Sequence, residues 1–187
     1  MKKTLFLIVV IILVILSCGK DDEQEKKIID GSGNTYNEIE VGNQTWLRED
    51  LKTGKYINGQ DIQTKDFENK GKEGYYYSYN VDMRKLCPKG YKVPSQSDFQ
   101  KLIEYFGGEN INKDQIIASY VSKWNGNTNG NGDGFTNSGS GLYWSSTETF
   151  YSGQIGNYYF YFRTQFAGIS VSLFSATGNF HIKCIKE

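Results

Sequence analysis

Residues 87–108 read CPKGYKVPSQSDFQKLIEYFGG, and this stretch carries the clearest local structural signal in the chain. Ser95 is a natural helix N-cap, and Asp98, three residues later, approximates a capping box. From Phe99 to Phe106 apolar residues recur at intervals of three and four, which is the period of a helix with one buried face. A pair of glycines follows and provides the stop signal. The sequence therefore predicts an amphipathic helix here.

The remainder of the chain alternates strand signals with polar loops. A second helix is predicted over about residues 113–124, followed by an Asn/Gly-rich loop over residues 125–141. The chain holds 14 Tyr, 11 Phe and 3 Trp but only 2 Pro, a usage that favours strands separated by Gly, Asn and Ser turns. Strands are predicted at 36–41, 44–47, 75–79, 142–146, 157–164, 168–174 and 180–185. We therefore expect an α+β domain, rich in antiparallel sheet, with two helices and long loops.

The amino-terminal residues have the form of a secretory signal. Lys2 and Lys3 precede 12 apolar residues at 5–16, a run shorter than the about 20 residues that span a bilayer. Residues 15–18, ILSC, resemble a bacterial lipobox, in which the leader is cut before the Cys and the Cys is acylated. We expect residues 1–17 to be a lipoprotein signal peptide and Cys18 to carry the lipid, palmitate included. The alternative is a buried hydrophobic strand that precedes a Cys by chance.

The residues after Cys18 predict a charged tether over 18–28, ahead of a folded domain over 29–187. Lys20, Asp21 and Asp22 resemble the signal that sends lipoproteins of the Bacteroidota to the cell surface. A solvated charged linker explains the same residues without any signal. The resemblance predicts a protein of the outer membrane, anchored by lipid and facing the exterior.

Charge argues against one class of partner. Without the leader the chain has 19 basic and 21 acidic side chains, a net charge of about −2. No basic surface of the kind that nucleic acid needs is expected from this balance. The membrane contact is therefore expected to come from the lipid anchor.

The cysteine count predicts one disulfide. Of three Cys, Cys18 is assigned to the lipid, which leaves Cys87 and Cys184 as an even pair in an exported protein. A metal or redox pair is the alternative, but no CxxC spacing occurs and His181 is the sole histidine.

Five ordered strings together resemble the Fibrobacter succinogenes major paralogous domain, a family of exported bacterial domains often found on lipoproteins. The strings are GNQTW with EDLK (42–46, 49–52), GYYY (74–77), CPKGYKVPS (87–95), YWSSTE (143–148) and IKCIK (182–186). The resemblance covers about residues 29–187 and implies a C-type-lectin-like fold, related to that of the formylglycine-generating enzyme. Members usually carry a Pro-Gly-Gly-like turn before the Trp-Ser-Ser-Thr-Glu string. This chain has no Pro there, so a loop is shortened.

One loop resembles the start of a calcium site. Asn127, Asn129, Asn131 and Asp133 alternate with glycines, as oxygen ligands do at the beginning of an EF-hand loop. The twelfth position would be Ser140 in place of the usual bidentate Glu, and only one carboxylate is present. Weak calcium binding is thus one hypothesis, and a flexible Gly/Asn loop without any cofactor is the default.

Sugar binding is the leading hypothesis for the ligand. The Glu-Pro-Asn and Gln-Pro-Asp motifs of calcium-dependent lectins are absent from the sequence. Tyr158, Tyr159 and Tyr161 instead supply rings on which a pyranose could stack. They lie on one predicted strand, whose side chains alternate between two faces, and one face must be core.

No catalytic motif stands out. His181 alternates with apolar neighbours in the terminal strand, which is typical of a structural histidine, and no Ser or Cys motif accompanies it. The sequence therefore favours a non-enzymatic surface lipoprotein that binds an extracellular polysaccharide or protein. A structural or partner-binding role in an outer-membrane assembly is the first alternative, and an enzyme is the second.

Overall fold

The structure is a computed structural model that describes residues 27–69, 75–109, 140–163 and 168–187. The second helix predicted over 113–124 and most of the following Asn/Gly loop lie outside these ranges. Within them, one α-helix and two short 3-10 helices accompany mostly antiparallel sheets, in keeping with an α+β class. None of the helices in these ranges is both long and apolar enough to cross a membrane.

The first sheet joins the two ends of the domain. Strands β3 (Glu38–Val41) and β4 (Gln44–Leu47) form the predicted hairpin, and Gly42 in its turn has a φ of +65°. Strand β12 (Ile185–Lys186) lies between β4 and β7 (Tyr91–Lys92), so the order is β3-β4-β12-β7. Ahead of this sheet, β1 (Ile28–Ile29) pairs with β2 (Thr35–Tyr36).

The second sheet contains the longest strands. Its strands are β8 (Ser140–Tyr151), β9 (Gln154–Arg163) and β10 (Gly168–Ser175), in the order β10-β9-β8. All three differ from the predicted bounds at one or both ends. In the pairing of β9 with β10, the last partner toward the hairpin turn is Asn157, whereas β8 and β9 stay paired out to Tyr151 and Gln154. The hairpin of β8 and β9 therefore extends beyond the end of β10.

The carboxyl-terminal segment is divided between two sheets. A single strand was expected over 180–185, but β11 (Asn179–Phe180) pairs with β6 (Tyr75–Ser78), which also pairs with β5 (Phe67–Asn69). The chain then leaves this sheet and enters β12. Between the two strands the His181 amide donates to the Leu142 carbonyl at 2.9 Å, and the Ile182 carbonyl accepts from the Leu51 amide at 2.9 Å. The segment is split because its backbone groups bond to several different elements.

The predicted helix is present as α1 (Gln96–Tyr105). The Asp98 amide donates to Ser95 Oγ at 3.1 Å, and the Ser95 amide donates to Asp98 Oδ2 at 2.9 Å, so the capping box is complete. The buried face rests on the second sheet, where Phe99 stacks on Phe160 with ring centroids 4.7 Å apart. The ring of Trp46, in the first sheet, packs on Phe99 with ring centroids 5.6 Å apart, so the helix contacts both sheets.

Besides the core under α1, a second hydrophobic core surrounds the disulfide between Cys87 and Cys184. This disulfide confirms the pairing predicted from the cysteine count. Trp144 is fully buried in this core. Its indole N–H donates to the Tyr77 carbonyl at 2.7 Å, which satisfies the one polar atom of a large apolar ring.

Reduction of the disulfide should lower the free energy of unfolding by about 4–5 kcal/mol. The bridge joins residues 97 positions apart, and closing such a loop removes conformational entropy from the unfolded chain. Urea denaturation with and without reductant measures the difference. A Cys87→Ser, Cys184→Ser variant should match the reduced protein and ignore reductant. An unchanged midpoint for the reduced wild-type chain would contradict the prediction.

Candidate functional site

A polar cleft of about 740 Å³ opens between the turn after β6 and the base of the β8–β9 hairpin. It is lined by Tyr79, Asn80, Val81, Asp82, Met83, Arg84, Ser146, Glu148 and Asn157. The two walls meet where the Asn157 side-chain amide approaches Met83 Sδ at 3.7 Å. Charged and amide side chains thus converge on a concave surface, which is a usual property of ligand sites.

The first wall is built on a short 3-10 helix, Met83–Lys85, that Asp82 caps. Arg84 donates from Nε to Asp82 Oδ1 at 2.9 Å and from a terminal nitrogen to Oδ2 at 3.2 Å. Lys85 Nζ lies 2.9 Å from Asp82 Oδ2. The hydrogen bonds from Arg84, together with the contact with Lys85, outweigh desolvation and hold the pKa of Asp82 well below its usual range. The carboxylate therefore stays ionised at neutral pH.

The second wall depends on an irregularity in the sheet. The register of β8 against β9 shifts between Trp144 and Glu148, as a β-bulge does when it redirects side chains. Buried Asn157 stabilises this shift, because its side-chain N–H donates to the Ser145 carbonyl at 2.8 Å. The shift leaves Ser146 and Glu148 exposed on the cleft.

Glu148 and Arg84 face the same space from opposite walls. The pKa of Arg84 is raised chiefly by the hydrogen bond to Asp82, with a smaller contribution from the charge of Glu148. The side chain of Arg84 is 87% exposed, so it is accessible to a ligand. The cleft therefore offers a fixed carboxylate, an exposed guanidinium and an exposed carboxylate.

The three tyrosines proposed for stacking do not share one surface. Phe160 is buried in the core under α1. Because side chains alternate along β9, Tyr158 lies on the same face of the strand as Phe160, whereas Tyr159 and Tyr161 lie on the opposite face. Tyr159 packs on Phe180 with ring centroids 4.8 Å apart. All three are only partly exposed. Tyr79, a residue not singled out from the sequence, is the aromatic side chain at the cleft, and its ring meets Trp144 edge-on at 6.4 Å.

The other sites predicted from the sequence lie outside the described ranges. These are Cys18 with the signal Lys20, Asp21 and Asp22, and the calcium hypothesis on Asn127, Asn129, Asn131 and Asp133. Among the described residues, no group of three or more His, Cys, Asp or Glu side chains could hold a metal ion.

A smaller recess of about 590 Å³ lies near Lys27. Two of its lining side chains, Tyr91 and Lys186, contact the Glu38 carboxylate, and Lys186 Nζ lies 2.8 Å from it. These contacts lower the pKa of Glu38. The same contacts connect β3 to β7 and β12, so the polar groups of this recess stabilise the first sheet.

The hairpin above the cleft ends in an apolar tip. Phe150, Tyr151 and Ile155 are 69%, 67% and 59% exposed. Phe150 and Ile155 are directly paired across the hairpin, so their side chains share a face. Ser152 and Gly153 both have positive φ, as a two-residue hairpin turn requires.

Sequence reasoning missed a charged cluster in the interior. Lys183 and Asp50 are 0% and 1% exposed, and Lys183 Nζ lies 2.7 Å from Asp50 Oδ1. The Tyr143 hydroxyl donates to Asp50 Oδ2 at 3.3 Å, and His181 Nδ1 lies 3.7 Å from the same oxygen. His181 is thus a buried side chain among other buried groups, which agrees with its interpretation as a structural residue. The sole signal in the sequence was the i, i+2 spacing of His181 and Lys183, which surface strands share.

The model of the Fibrobacter succinogenes major domain matches residues 39–186. This range includes both walls of the cleft, the disulfide and the interior charged cluster. No curated protein and no solved structure matches the chain.

Asp82→Asn should make the protein less sensitive to acid. The folded-state pKa of Asp82 is depressed, so its contribution to stability is present above the unfolded value of about 4 and is lost as pH falls through the folded value. The variant lacks that contribution, so its free energy of unfolding should fall less than that of wild type below about pH 4. Urea denaturation at a series of pH values measures this.

Asp61→Asn is the matched control, because the Asp61 side chain is 80% exposed in a surface pair with Lys55. Its acid dependence should follow wild type. Equal acid dependence for Asp82→Asn and wild type would show that the Asp82 contacts do not hold this wall.

Proposed function

The chain belongs to the Fibrobacter succinogenes major domain family, and from that premise we propose that it is the non-enzymatic binding module of a surface lipoprotein. Its ligand is an extracellular glycan that occupies the polar cleft. The observation that carries the proposal is the convergence of Asp82, Arg84 and Glu148 on one concave surface above a buried, hydrogen-bonded frame.

The groups on the cleft suit a polyhydroxylated ligand. Glu148 and Asp82 accept hydrogen bonds from hydroxyls, whereas Arg84 and the side-chain amide of Asn80 donate to ring and hydroxyl oxygens. Part of the Tyr79 ring lines the same surface and gives an apolar face for the C–H groups of a sugar. The cleft is preorganised for binding, because the hydrogen bond of Asn157 and the 3-10 helix fix the shape of its two walls before a ligand arrives.

Binding without turnover fits the electrostatics. Hydrolysis of a glycosidic bond uses two carboxyl groups, one of which must be protonated to act as general acid. The contacts of Arg84 and Lys85 lower the pKa of Asp82, which is opposite to what a general acid needs. Asp82 is therefore unsuited to the general-acid role.

The location of the domain is part of the same proposal. The leader at 1–17, the acylated Cys18 and the signal at Lys20, Asp21 and Asp22 would place it on the outer membrane, facing outward. A tether of about ten residues reaches roughly 30 Å, far enough to lift the domain clear of lipid headgroups. The finer fold assignment, a C-type-lectin-like domain, also belongs to the proposal and is supported by the resemblance in sequence.

A protein partner in an outer-membrane assembly is the second candidate function. It is favoured by the exposed apolar tip of Phe150, Tyr151 and Ile155, since exposed aromatic residues are common in protein interfaces. In this form the hairpin, and not the cleft, would make the contact.

Glu148→Gln should weaken glycan binding roughly tenfold, because it removes a charged acceptor of hydrogen bonds to the sugar. The purified full chain in detergent would first be screened on a glycan and polysaccharide array, with calcium and then with chelator. Affinity for the ligand found would then be compared between wild type and variant by titration calorimetry.

Glu104→Gln is the control, since Glu104 is an exposed carboxylate on α1 that does not line the cleft. It should bind as wild type does. Loss of binding with chelator would point to Asn127, Asn129, Asn131 and Asp133. A blank array in both conditions would contradict the glycan proposal and favour the protein partner.

Cys18→Ser should abolish incorporation of labelled palmitate and release the protein from the membrane fraction. The reason is that one acyl chain holds a protein marginally and two or more hold it stably, so removal of all chains leaves no anchor. Metabolic labelling and fractionation of the cells that express the chain measure both effects.

Substitution of Lys20, Asp21 and Asp22 by Ala separates anchoring from surface export. This variant should keep its palmitate but become resistant to protease added to intact cells. Full labelling of Cys18→Ser would contradict the lipoprotein assignment, and unchanged protease sensitivity of the triple variant would contradict the export signal.

A further inference from the structure

The interior pair of Asp50 and Lys183 brings an amine and a carboxyl group together away from bulk solvent. Nζ lies 2.7 Å from Oδ1, and the side chains of Lys183 and Asp50 are 0% and 1% exposed. Their backbones are tied nearby, because the Leu51 amide donates to the Ile182 carbonyl at 2.9 Å. Neither side chain can therefore move far from the other without breaking the packing of the domain.

We propose that Asp50 and Lys183 condense to an intramolecular isopeptide bond between Lys183 Nζ and Asp50 Cγ. This modification does not depend on the function proposed for the cleft. Reacting groups held at contact distance have effective molarities that reach about 10⁵–10⁸ M, which can overcome the barrier that keeps free amines and carboxylic acids from condensing in water.

One neighbouring group is placed to assist the reaction. The Tyr143 hydroxyl donates to Asp50 Oδ2 at 3.3 Å, where negative charge develops when nitrogen attacks the carboxyl carbon. His181 Nδ1 lies 3.7 Å from the same oxygen, beyond hydrogen-bond distance, and His181 is given no part in the reaction. The Tyr143 ring also lies under the amine, with Nζ 5.9 Å from its centroid.

The reaction conserves atoms and charge. First, one proton passes from Nζ to Oδ1, which gives a neutral amine and a carboxylic acid. The nitrogen lone pair then forms a bond to Cγ, and the electrons of the C=O bond move to Oδ2. A second proton passes from nitrogen to the hydroxyl at Oδ1, the oxygen that Nζ already contacts. The bond from Cγ to Oδ1 breaks, water leaves, and the C=O bond at Oδ2 forms again. The product is a secondary amide plus one water molecule, with no oxidant or cofactor needed.

The bond would add a second covalent link at the carboxyl-terminal segment. Asp50 and Lys183 are 133 positions apart, and Lys183 precedes Cys184 of the disulfide. Two adjacent residues would then fix this segment to separate parts of the domain. Unlike the disulfide, the amide would survive a reducing environment.

Peptide mass spectrometry of the full chain tests the proposal directly. The folded protein would be purified, denatured, reduced, alkylated and digested with trypsin, which cleaves after Lys and Arg. Without the bond, Asp50 is recovered in peptide 49–52 and Lys183 ends peptide 164–183. With the bond, trypsin cannot cut at Lys183. The expected product joins 49–52 to 164–186, lighter than the two peptides together by one water molecule.

Two variants test the reacting amine and the assisting hydroxyl. Lys183→Arg keeps the positive charge but lacks a primary amine, so it should give no branched peptide. Tyr143→Phe removes the donor at Oδ2 and should slow formation on the order of a hundredfold. Circular dichroism and the presence of the disulfide would establish that each variant is folded.

Recovery of the branched peptide from most wild-type chains, and its absence from Lys183→Arg, would support the bond. Recovery of linear 49–52 and 164–183 from folded wild-type protein, with no branched product after prolonged incubation, would overturn it. Since this readout comes from the wild-type chain, it holds even where a variant fails to fold.

Discussion

The carboxyl-terminal segment forms backbone hydrogen bonds with three different sheets, and the rest of the domain is arranged around it. Phe180 lies in the edge strand of one sheet, His181 exchanges backbone hydrogen bonds with Leu142 and Trp144 near the start of β8, and Ile185 lies between β4 and β7. Between them Cys184 is bonded to Cys87. Elements separated by more than a hundred residues therefore become neighbours only when these last residues are in place. Such long-range pairing carries a large loss of chain entropy, and the two buried cores offset that loss.

Burial of the Lys183 side chain beside Asp50 is a costly feature of the interior. Lys183 is 0% exposed, and the idealised cost of moving an ammonium ion from water is of order 20 kcal/mol before compensation. Asp50 and the Tyr143 ring provide the compensation. An apolar pair of similar volume would often hold a fold as well or better, so stability alone does not account for an amine and a carboxyl group at this position. The isopeptide bond proposed above would account for both groups.

The same sheet that contacts the terminal segment also presents the exposed features. Trp144 marks the buried end of β8, and past it the register shift turns Glu148 toward the cleft. Farther along, the β8–β9 hairpin extends beyond the end of β10, and its tip carries Phe150 and Tyr151. A disulfide-bonded core thus supports a polar cleft and an apolar tip on one continuous strand.

The sequence alone determined whatever depends on neighbouring residues. The helix from its cap at Ser95, the turn at Gly42 and the alternation of strands follow from capping, positive φ and a period of two, all of which are local. The disulfide was also predictable, because one pair of cysteines remains once Cys18 is assigned to the expected lipid. The tertiary structure decided what depends on distant residues: the split of the last strand, the cleft at Glu148 and the contact of Asp50 with Lys183. Their side chains meet only after the chain has closed on itself, and no local pattern encodes a meeting of residues 133 positions apart.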